Sequence, residues 1–484
     1  MPDLTTAFAI IATVLIISAL ASGVIERAPI SFPMIFLGAG VLLGEHGLGV
    51  IRIGSHDTVL EAIAVVSLAF VLFLDAVKLR FDELSRDWLV PLLTLGPGTI
   101  LVIGIVAGAA YLILRASPIE ALMLGAILAS TDPVVIRDVV RDQRIPGSVR
   151  RALSVESGLN DVIVLPILLV LIAVSHAKLG GASEWLTFVL QLLVVGPAAG
   201  FAVGGLGAQL MNWMDARIPI RREYQALYGV GLVLAAYAAG QGVGGDGFLA
   251  AFAAGIAVTV LNANLCDCFL EYGEVTAEMA MLLAFILFGA LLSTLLGSLP
   301  LLAVFAFALV VIGVARPLAI LLVLIRARLS WRARTFVAWF GPRGLSSLLF
   351  GLLLLRDGAP SGERLLAISG LVVVLSVVLH GASATPLAAW YARRVAGESL
   401  EEERESTAGG LFREDAAEAP RVSVEELARR LAGLEPPIVL DVRTRSEYLR
   451  ERVRIPGSVR VLPDHVDEWA TTQEKGRSVV AYCS

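Results

Sequence analysis

The sequence predicts an all-α polytopic membrane protein that carries a small α/β tail. Of its 484 residues 57% are hydrophobic, and its mean hydropathy is +0.80. Only 17% are charged, whereas soluble proteins carry about 25%. The charge is also concentrated at one end, with 33 charged residues among the 94 from 391 to 484 and 48 among the first 390. This distribution indicates many membrane spans followed by a polar tail, and it excludes an ordinary soluble enzyme.

Cutting the apolar region at its polar breaks predicts about thirteen spans. They are 4–24, 29–44, 57–77, 88–114, 118–136, 148–175, 184–213, 223–240, 247–261, 271–297, 299–325, 331–355 and 364–392. The first lacks a basic flank and is long enough to cross a hydrocarbon core of roughly 30 Å, so we interpret it as a span and not as a signal peptide. Several spans are short or contain Gly and Pro, which predicts broken helices that face protein or water.

The basic residues predict the orientation. Sixteen lie in the odd-numbered connections and five in the even-numbered ones, so the odd connections are expected on the cytoplasmic side of an inner membrane. The N-terminus is then outside and the tail is in the cytosol.

The net charge of −5 argues against a nucleic-acid partner, and three cysteines exclude a disulfide-stapled fold.

We divide the chain into a transmembrane domain, 1–393, an acidic flexible linker, 394–419, and a tail domain, 420–484. In the tail, residues 422–431 read as a helix capped by Ser423, and 437–442 and 478–482 read as buried strands.

One polar interruption lies in the span 118–136, at Thr131, Asp132 and Pro133. Proline removes a backbone donor and clashes one turn back, so the carbonyls that it frees, the Thr131 hydroxyl and the Asp132 carboxylate are expected to face one point. Such a break can hold a small cation. The alternative is a proline kink in which Asp132 only caps the second half-helix.

A second polar group lies in the span 148–175. Glu156 and Asn160 share one helical face, and Ser157 and Asp161 share another. Carboxylate, hydroxyl and carbonyl oxygens are the ligands that hard cations prefer. The alternative is that this stretch is only the wet end of the helix. Asp161 lies ten residues inside, roughly 15 Å along the axis, which favours a central position.

A buried Glu156 needs a counter-charge. We take Arg343 as the one arginine deep inside a late span and predict a Glu156–Arg343 pair. Asp161 then lacks a permanent partner. Because a desolvated carboxylate is neutralised either by a proton or by a cation, Asp161 is the candidate exchange group.

Smaller features receive plainer interpretations. Asp75 and Lys78 are expected at a span end, and the Cys266–Cys268 loop is too short for a metal site, so no cofactor is expected. A second helix break is expected either at Gly341–Pro342 or at the polar stretch that begins at His380. His380 is also considered as a pH sensor.

These motifs resemble a known family. Thr131–Pro133 followed by Glu156–Asp161 resembles the sodium/proton antiporters of the NhaP and eukaryotic sodium/hydrogen exchanger type. Gly341–Gly344 resembles their arginine motif, and Gly247–Gly255 is similar to another stretch of the family. The resemblance covers about residues 5–393.

The resemblance implies a thirteen-helix fold of inverted repeats that forms homodimers, in which a core domain moves against a dimerisation domain. The ion ligands that it implies are Thr131, Asp132, Asp161 and either Glu156 or Ser157. It also implies the Glu156–Arg343 bridge. Because Asn160 precedes Asp161, the pattern is that of the electroneutral members.

The tail has its own resemblance, to a rhodanese domain, through Val439–Tyr448, Arg454–Ser458 and Val479–Ser484. That resemblance implies that Cys483 is a sulfur-carrying nucleophile. Such a nucleophile needs a following loop of backbone amides. The printed chain stops one residue later, so we expect an incomplete, inactive domain.

The sequence therefore predicts a secondary transporter and not an enzyme, one that exchanges a monovalent cation for H⁺ by alternating access around Asp161. Na⁺ is the first choice of cation, and K⁺ or Li⁺ would use the same ligands. Two other classes remain. One is a membrane-tethered sulfurtransferase whose spans only anchor it, and the other is a cation channel, which would not couple the two fluxes.

Overall fold

The chain folds into a large helical region and a small tail domain. The computed structural model describes residues 32–55, 57–79, 89–132, 135–136, 139–140, 142, 144–176, 180–218, 220–261, 263–327, 329–359, 361–395, 422–433, 436–443, 453–461, 465–473 and 476–482, with Ile16, Leu20 and Tyr448. The predicted first span, the linker from 396 onward, Pro133 and Cys483 therefore lie outside the described residues, apart from the two isolated positions in the span.

The helices of the apolar region follow one another with short connections. They are α1 (Phe32–Leu43), α2 (Thr58–Val77), α3 (Leu89–Ile113), α4 (Pro118–Ala129), α5 (Gly147–Ser175), α6 (Ala182–Asp215), α7 (Arg222–Gly242), α8 (Gly247–Leu261), α9 (Ala263–Leu295), α10 (Leu301–Arg326), α11 (Trp331–Trp339), α12 (Leu345–Arg356) and α13 (Gly362–Val395). Six of these, α2, α3, α5, α6, α10 and α13, are long and apolar enough to cross a membrane. The described chain is thus a multi-span helical membrane protein.

Three of the long helices contain a widened π turn, and each turn lies at or just before a proline. The π turns are Thr94–Gly98 around Pro97, Gln191–Val195 before Pro197, and Val311–Ala315 before Pro317. Proline has no backbone N–H and its ring crowds the carbonyl four residues earlier. A π turn absorbs that mismatch without ending the helix.

The helices pack in two groups. The first bundle contains α1, α2 and α6 to α9, and the second bundle contains α3 to α5 and α10 to α13. Helix α2 also contacts α5 and α12 of the second bundle, so it lies along the seam between the groups.

Two helices of the second bundle are interrupted. Helix α4 ends at Ala129, and the chain continues through Ser130, Thr131 and Asp132 without regular structure. Residues 340–344 separate α11 from α12. The other expected break, at His380, is wrong, because α13 runs without interruption from Gly362 to Val395 and contains Pro386.

The tail contains a helix and a small sheet. Helix α14 (Val424–Leu431) begins after Ser423, whose hydroxyl accepts from the Glu426 amide as predicted. Strands β1 (Ile438–Asp441), β2 (Val459–Arg460) and β3 (Val479–Tyr482) form a parallel sheet in the order β2-β1-β3, and helix α15 (Val466–Thr471) precedes β3. The strands predicted from the sequence are therefore β1 and β3. The prediction that both are buried is right only for β1, because β3 lies at an edge of the described sheet and alternates exposed and half-buried residues.

Asp441 at the end of β1 is almost fully buried, and its carboxylate accepts two hydrogen bonds from the Arg443 guanidinium, at 2.9 and 2.6 Å. Burial acts to raise the pKa of Asp441, but the bonds from Arg443 and the Tyr482 hydroxyl outweigh it and hold that pKa below its usual value. This buried pair holds the chain in place at the carboxyl end of β1.

Candidate functional site

The two broken segments of the second bundle cross each other. The Asp132 amide donates to the Pro342 carbonyl at 2.9 Å, and the Leu345 amide at the start of α12 donates to the Asp132 carboxylate at 3.0 Å. A helix N-terminus favours a negative charge, so α12 is a suitable partner for this carboxylate. Gly344 is required here because a Cβ atom at that position would overlap the Asp132 side chain. The crossing brings the predicted break at 131–133 onto the predicted break at 341–342.

Asp161 lies beside this crossing, in the middle of α5. Its Oδ1 accepts from the Ser130 hydroxyl at 2.5 Å, and the Ser346 hydroxyl is a second donor. The residue is 1% exposed, and no Lys or Arg of the described ranges forms an ion pair with it. Two neutral hydroxyl donors leave the charge of Asp161 uncompensated.

Asn160 ties α5 to the end of α4. Its amide nitrogen donates to the Ala129 carbonyl at 2.9 Å and to the Thr131 hydroxyl at 3.3 Å, and its oxygen accepts from Thr99 at 3.5 Å. The predicted ligand Thr131 is thereby held at the crossing. Ser157 is buried nearby, but its hydroxyl donates to the Ser154 carbonyl of its own helix.

Glu156 pairs with Arg316, so the predicted Glu156–Arg343 bridge is wrong. Both Arg316 terminal nitrogens contact the Glu156 carboxylate in a bidentate salt bridge, and both side chains are almost fully buried. Arg316 also donates to the Phe340 carbonyl at 2.8 Å. Gly341 leaves the space through which this guanidinium passes. The planar guanidinium explains the preference for arginine over lysine at this position.

The sequence analysis misses Arg316 because it treats Arg343 as the one arginine deep inside a late span. Arg316 lies within the predicted span 299–325, next to Pro317, so the signal was a charged residue in an apolar run. Arg343 instead donates to the carbonyls of Ala129 and Ser130, both at 3.2 Å. Its charge therefore faces the negative C-terminal end of α4.

Asp75 is a further carboxylate that faces the site. It lies in the last turn of α2, is 6% exposed, and its charge interacts with those of Asp161, Asp132 and Lys78. The position at a span end was predicted, but the burial and the proximity to the site were not. Its Oδ2 atom has no hydrogen-bond partner among the described residues.

The buried side chains around the site carry more acidic than basic groups. They include four carboxylates, Asp75, Asp132, Glu156 and Asp161, and two guanidinium groups, Arg316 and Arg343. Lys78, whose charge also acts on Asp75, is exposed. Within the described residues the carboxylates form no group of three that could hold a metal ion. A bound monovalent cation therefore also needs hydroxyl and carbonyl oxygens, and Ser130 and Thr131 offer both.

Removing the Asp75 charge tests its contribution. We expect Asp75→Asn to fold normally and to raise the cation concentration for half-maximal exchange by about tenfold or less, because a nearby negative charge is lost. Competition between protons and the cation for the site should weaken as well. The measurement is exchange rate against cation concentration at several pH values. Unchanged half-maximal concentrations would show that Asp75 does not act on the site.

The chain matches one family over most of its length. The sequence pattern described as sodium/hydrogen exchanger, transmembrane, matches residues 11–390. The K(+)/H(+) antiporter NhaP of Alkalimonas amylolytica is 30% identical over 401 residues, which are 81% of this chain and 67% of that protein. The K(+)/H(+) antiporter NhaP2 of Shewanella sp. (strain MR-4) is 28% identical over 387 residues, 77% of this chain and 64% of that one. The chain thus spans about two thirds of the length of these curated relatives.

The fold is also similar to a solved structure. The sodium proton antiporter MjNhaP1 from Methanocaldococcus jannaschii at pH 8 superposes with a TM-score of 0.66 and 21% identity, over 80% of this chain and 99% of that one.

Proposed function

Because the chain belongs to the sodium/hydrogen exchanger family, whose members are secondary transporters and not enzymes, we propose that it exchanges one monovalent cation for one proton across the cytoplasmic membrane. The exchange is electroneutral. Asp161 is the group that binds the proton and the cation in turn. Thr131, Asp132 and Ser157 supply further oxygen ligands, as does any Glu156 oxygen that its salt bridge leaves accessible.

The charge around Asp161 is the observation that carries this proposal. Glu156 is neutralised by Arg316, whereas Asp161 has only the hydroxyls of Ser130 and Ser346 as partners among the residues that the structure describes. A carboxylate in that setting is stable either protonated or with a cation beside it, and unstable with neither. Because Asn160 is neutral, Asp161 is the one group that binds a positive charge here. It binds either one proton or one monovalent cation, so the two ions compete for Asp161.

The two bundles supply the movement. The exchange site lies in the second bundle, where the broken segments cross, and α2 of the first bundle packs beside it. A displacement of the second bundle along this seam exposes Asp161 to one side of the membrane and then to the other. Occupancy by a proton or a cation is the condition for that displacement, because an empty, charged site is costly to move through an apolar seam.

We propose Na⁺ as the cation, and K⁺ as the second candidate. The named function of the two curated relatives, K(+)/H(+) antiport, favours K⁺, whereas the solved structure is that of a sodium proton antiporter. Both ions, and Li⁺, accept the oxygen ligands that this site offers.

We also propose the architecture around this site. The protein has thirteen spans in inverted repeats, with the N-terminus outside and the tail in the cytosol, and it forms homodimers. The transmembrane domain is 1–393, the linker is 394–419 and the tail is 420–484. The tail is a rhodanese-like domain, supported by its parallel sheet and the buried Asp441–Arg443 pair, with Cys483 in the place of the sulfur-carrying cysteine.

Transport assays test the function directly. In inverted membrane vesicles that have been acidified by respiration, added NaCl, KCl or LiCl should release protons, which a pH-sensitive dye reports. We expect NaCl to act at the lowest concentration. Release by none of the three salts would contradict the function, and release by KCl alone would replace Na⁺ by K⁺.

A further inference from the structure

We propose that Ser376 and His380, one turn apart on α13, are positioning residues that hold the broken segment 340–344 against Asp132 and so set the apparent affinity for the cation. This inference rests on the proposed function. Neither residue is a ligand, because Ser376 contacts the broken segment and His380 contacts Trp339, whose carbonyl also accepts from the Gly341 amide of that segment. Both are buried, at 0% and 2% exposure.

Ser376 holds the middle of the broken segment. The Arg343 amide donates to the Ser376 hydroxyl oxygen at 2.8 Å. The Arg343 amide lies outside any helix and lacks the usual carbonyl partner four residues earlier, and a buried amide must find another acceptor. The Ser376 hydroxyl is that acceptor for Arg343.

His380 holds the end of α11. Its Nε2 lies 3.1 Å from the carbonyl oxygen of Trp339, the last residue of α11. Because a carbonyl only accepts, Nε2 must carry a proton for this contact to be a hydrogen bond. Nδ1 lies 2.9 Å from the Ser376 carbonyl oxygen of its own helix and 3.2 Å from the Ser376 hydroxyl. A neutral ring can donate to only one of the two carbonyls, and the tautomer with the proton on Nε2 donates to Trp339 and accepts from the Ser376 hydroxyl.

These bonds lead to the exchange site through the backbone. Arg343 follows Pro342, whose carbonyl accepts from the Asp132 amide, and Leu345, two residues beyond Arg343, donates to the Asp132 carboxylate. A shift of the Arg343 amide therefore moves both contacts of Asp132. Loss of the Ser376 hydroxyl or of the His380 Nε2 proton should displace Asp132 without removing any ligand.

The charges around the ring argue against His380 as a pH sensor. Arg343 and Arg316 are the charged groups that act on the ring, and Glu156, the carboxylate of this group, is already paired with Arg316. A protonated ring would add a third positive charge there. His380 therefore serves as a neutral donor, and a neutral donor at the same place should replace it.

Four variants of the full-length protein test this. We expect Ser376→Ala to raise the cation concentration for half-maximal exchange about tenfold, the effect of a buried amide left without its partner, with the maximal rate less affected. His380→Asn should raise that concentration by a smaller factor that still exceeds about twofold, because the Trp339 carbonyl keeps the hydrogen bond from the Gly341 amide. His380→Gln can present an N–H near the Nε2 position and should stay within about twofold of wild type. Ser369→Ala is the matched control, since Ser369 is equally buried on α13 and its hydroxyl has no partner in the described chain.

Each result supports or contradicts the positioning role of Ser376 and His380. An unchanged half-maximal concentration in Ser376→Ala overturns the inference, and so does a shifted pH profile in His380→Gln, which would make His380 a sensor. If the wild type transports none of the cations, the proposed function fails, and amide hydrogen exchange still tests the positioning. Peptides covering 340–345 should exchange faster in Ser376→Ala than in Ser369→Ala, and equal rates would contradict it.

Discussion

Asp161→Asn should abolish cation/proton exchange and leave the protein folded. Asparagine has the same shape and can still hydrogen-bond to Ser130 and Ser346, the two partners of Asp161. It cannot carry the negative charge that a proton and a cation neutralise in turn. Removing a desolvated charge costs no stability in an apolar segment, so yield and melting temperature should equal those of wild type while transport falls to background.

The control for this variant is Glu184→Gln, which removes an exposed carboxylate at the start of α6. It should transport like wild type. If Asp161→Asn retains exchange, the exchange group is another carboxylate, and Asp132 becomes the first candidate because it lies at the same crossing.

Arg316→Ala should have the largest effect on stability. It strands the Glu156 carboxylate, which is 2% exposed, and removing one partner of a buried ion pair costs about 3–5 kcal/mol. We expect poor expression and a clearly lower melting temperature. Arg316→Lys should recover only part of this, because a lysine cannot reproduce the bidentate contact.

A double variant and an exposed ion pair test whether the stranded Glu156 charge causes the loss of stability in Arg316→Ala. Glu156→Gln combined with Arg316→Ala should be more stable than Arg316→Ala alone, since no buried charge remains unpaired. Arg356 pairs with Glu61 at 2.8 Å, but both side chains are more than a third exposed, so Arg356→Ala should cost about 1 kcal/mol or less. If Arg316→Ala is as stable as Arg356→Ala, the Glu156–Arg316 pair does not hold the helices together.

Local sequence signals predicted the parts of the site. Asp132 and Asp161 stand out because a carboxylate in an apolar run is costly, and Gly341 and Gly344 mark a break because glycine permits close approach of other groups. The structure brings these parts together, and Gly344 faces Asp132 as such a break requires.

The choice of partners could not be read from the sequence. Two arginines, Arg316 and Arg343, lie in late spans, and only the packing of α10 against α5 and the broken segment decides that the first meets Glu156. Asp75 lies three residues before Lys78, which is typical of a span end. The packing of α2 against α5 and α12, a property of the whole fold, brings this carboxylate within electrostatic range of Asp161 and Asp132.

The reversal point of exchange tests the one-for-one trade at Asp161 most directly. In proteoliposomes with a tenfold cation gradient, net flux should vanish when protons are also ten times more concentrated, by one pH unit, on the side with more cation, because one ion is traded for one proton. The reversal point should not move when a membrane voltage is imposed, since no net charge crosses. A reversal point at half a pH unit without voltage, or one that moves with voltage, would show that more than one proton is exchanged per cation and would contradict the single-carboxylate mechanism.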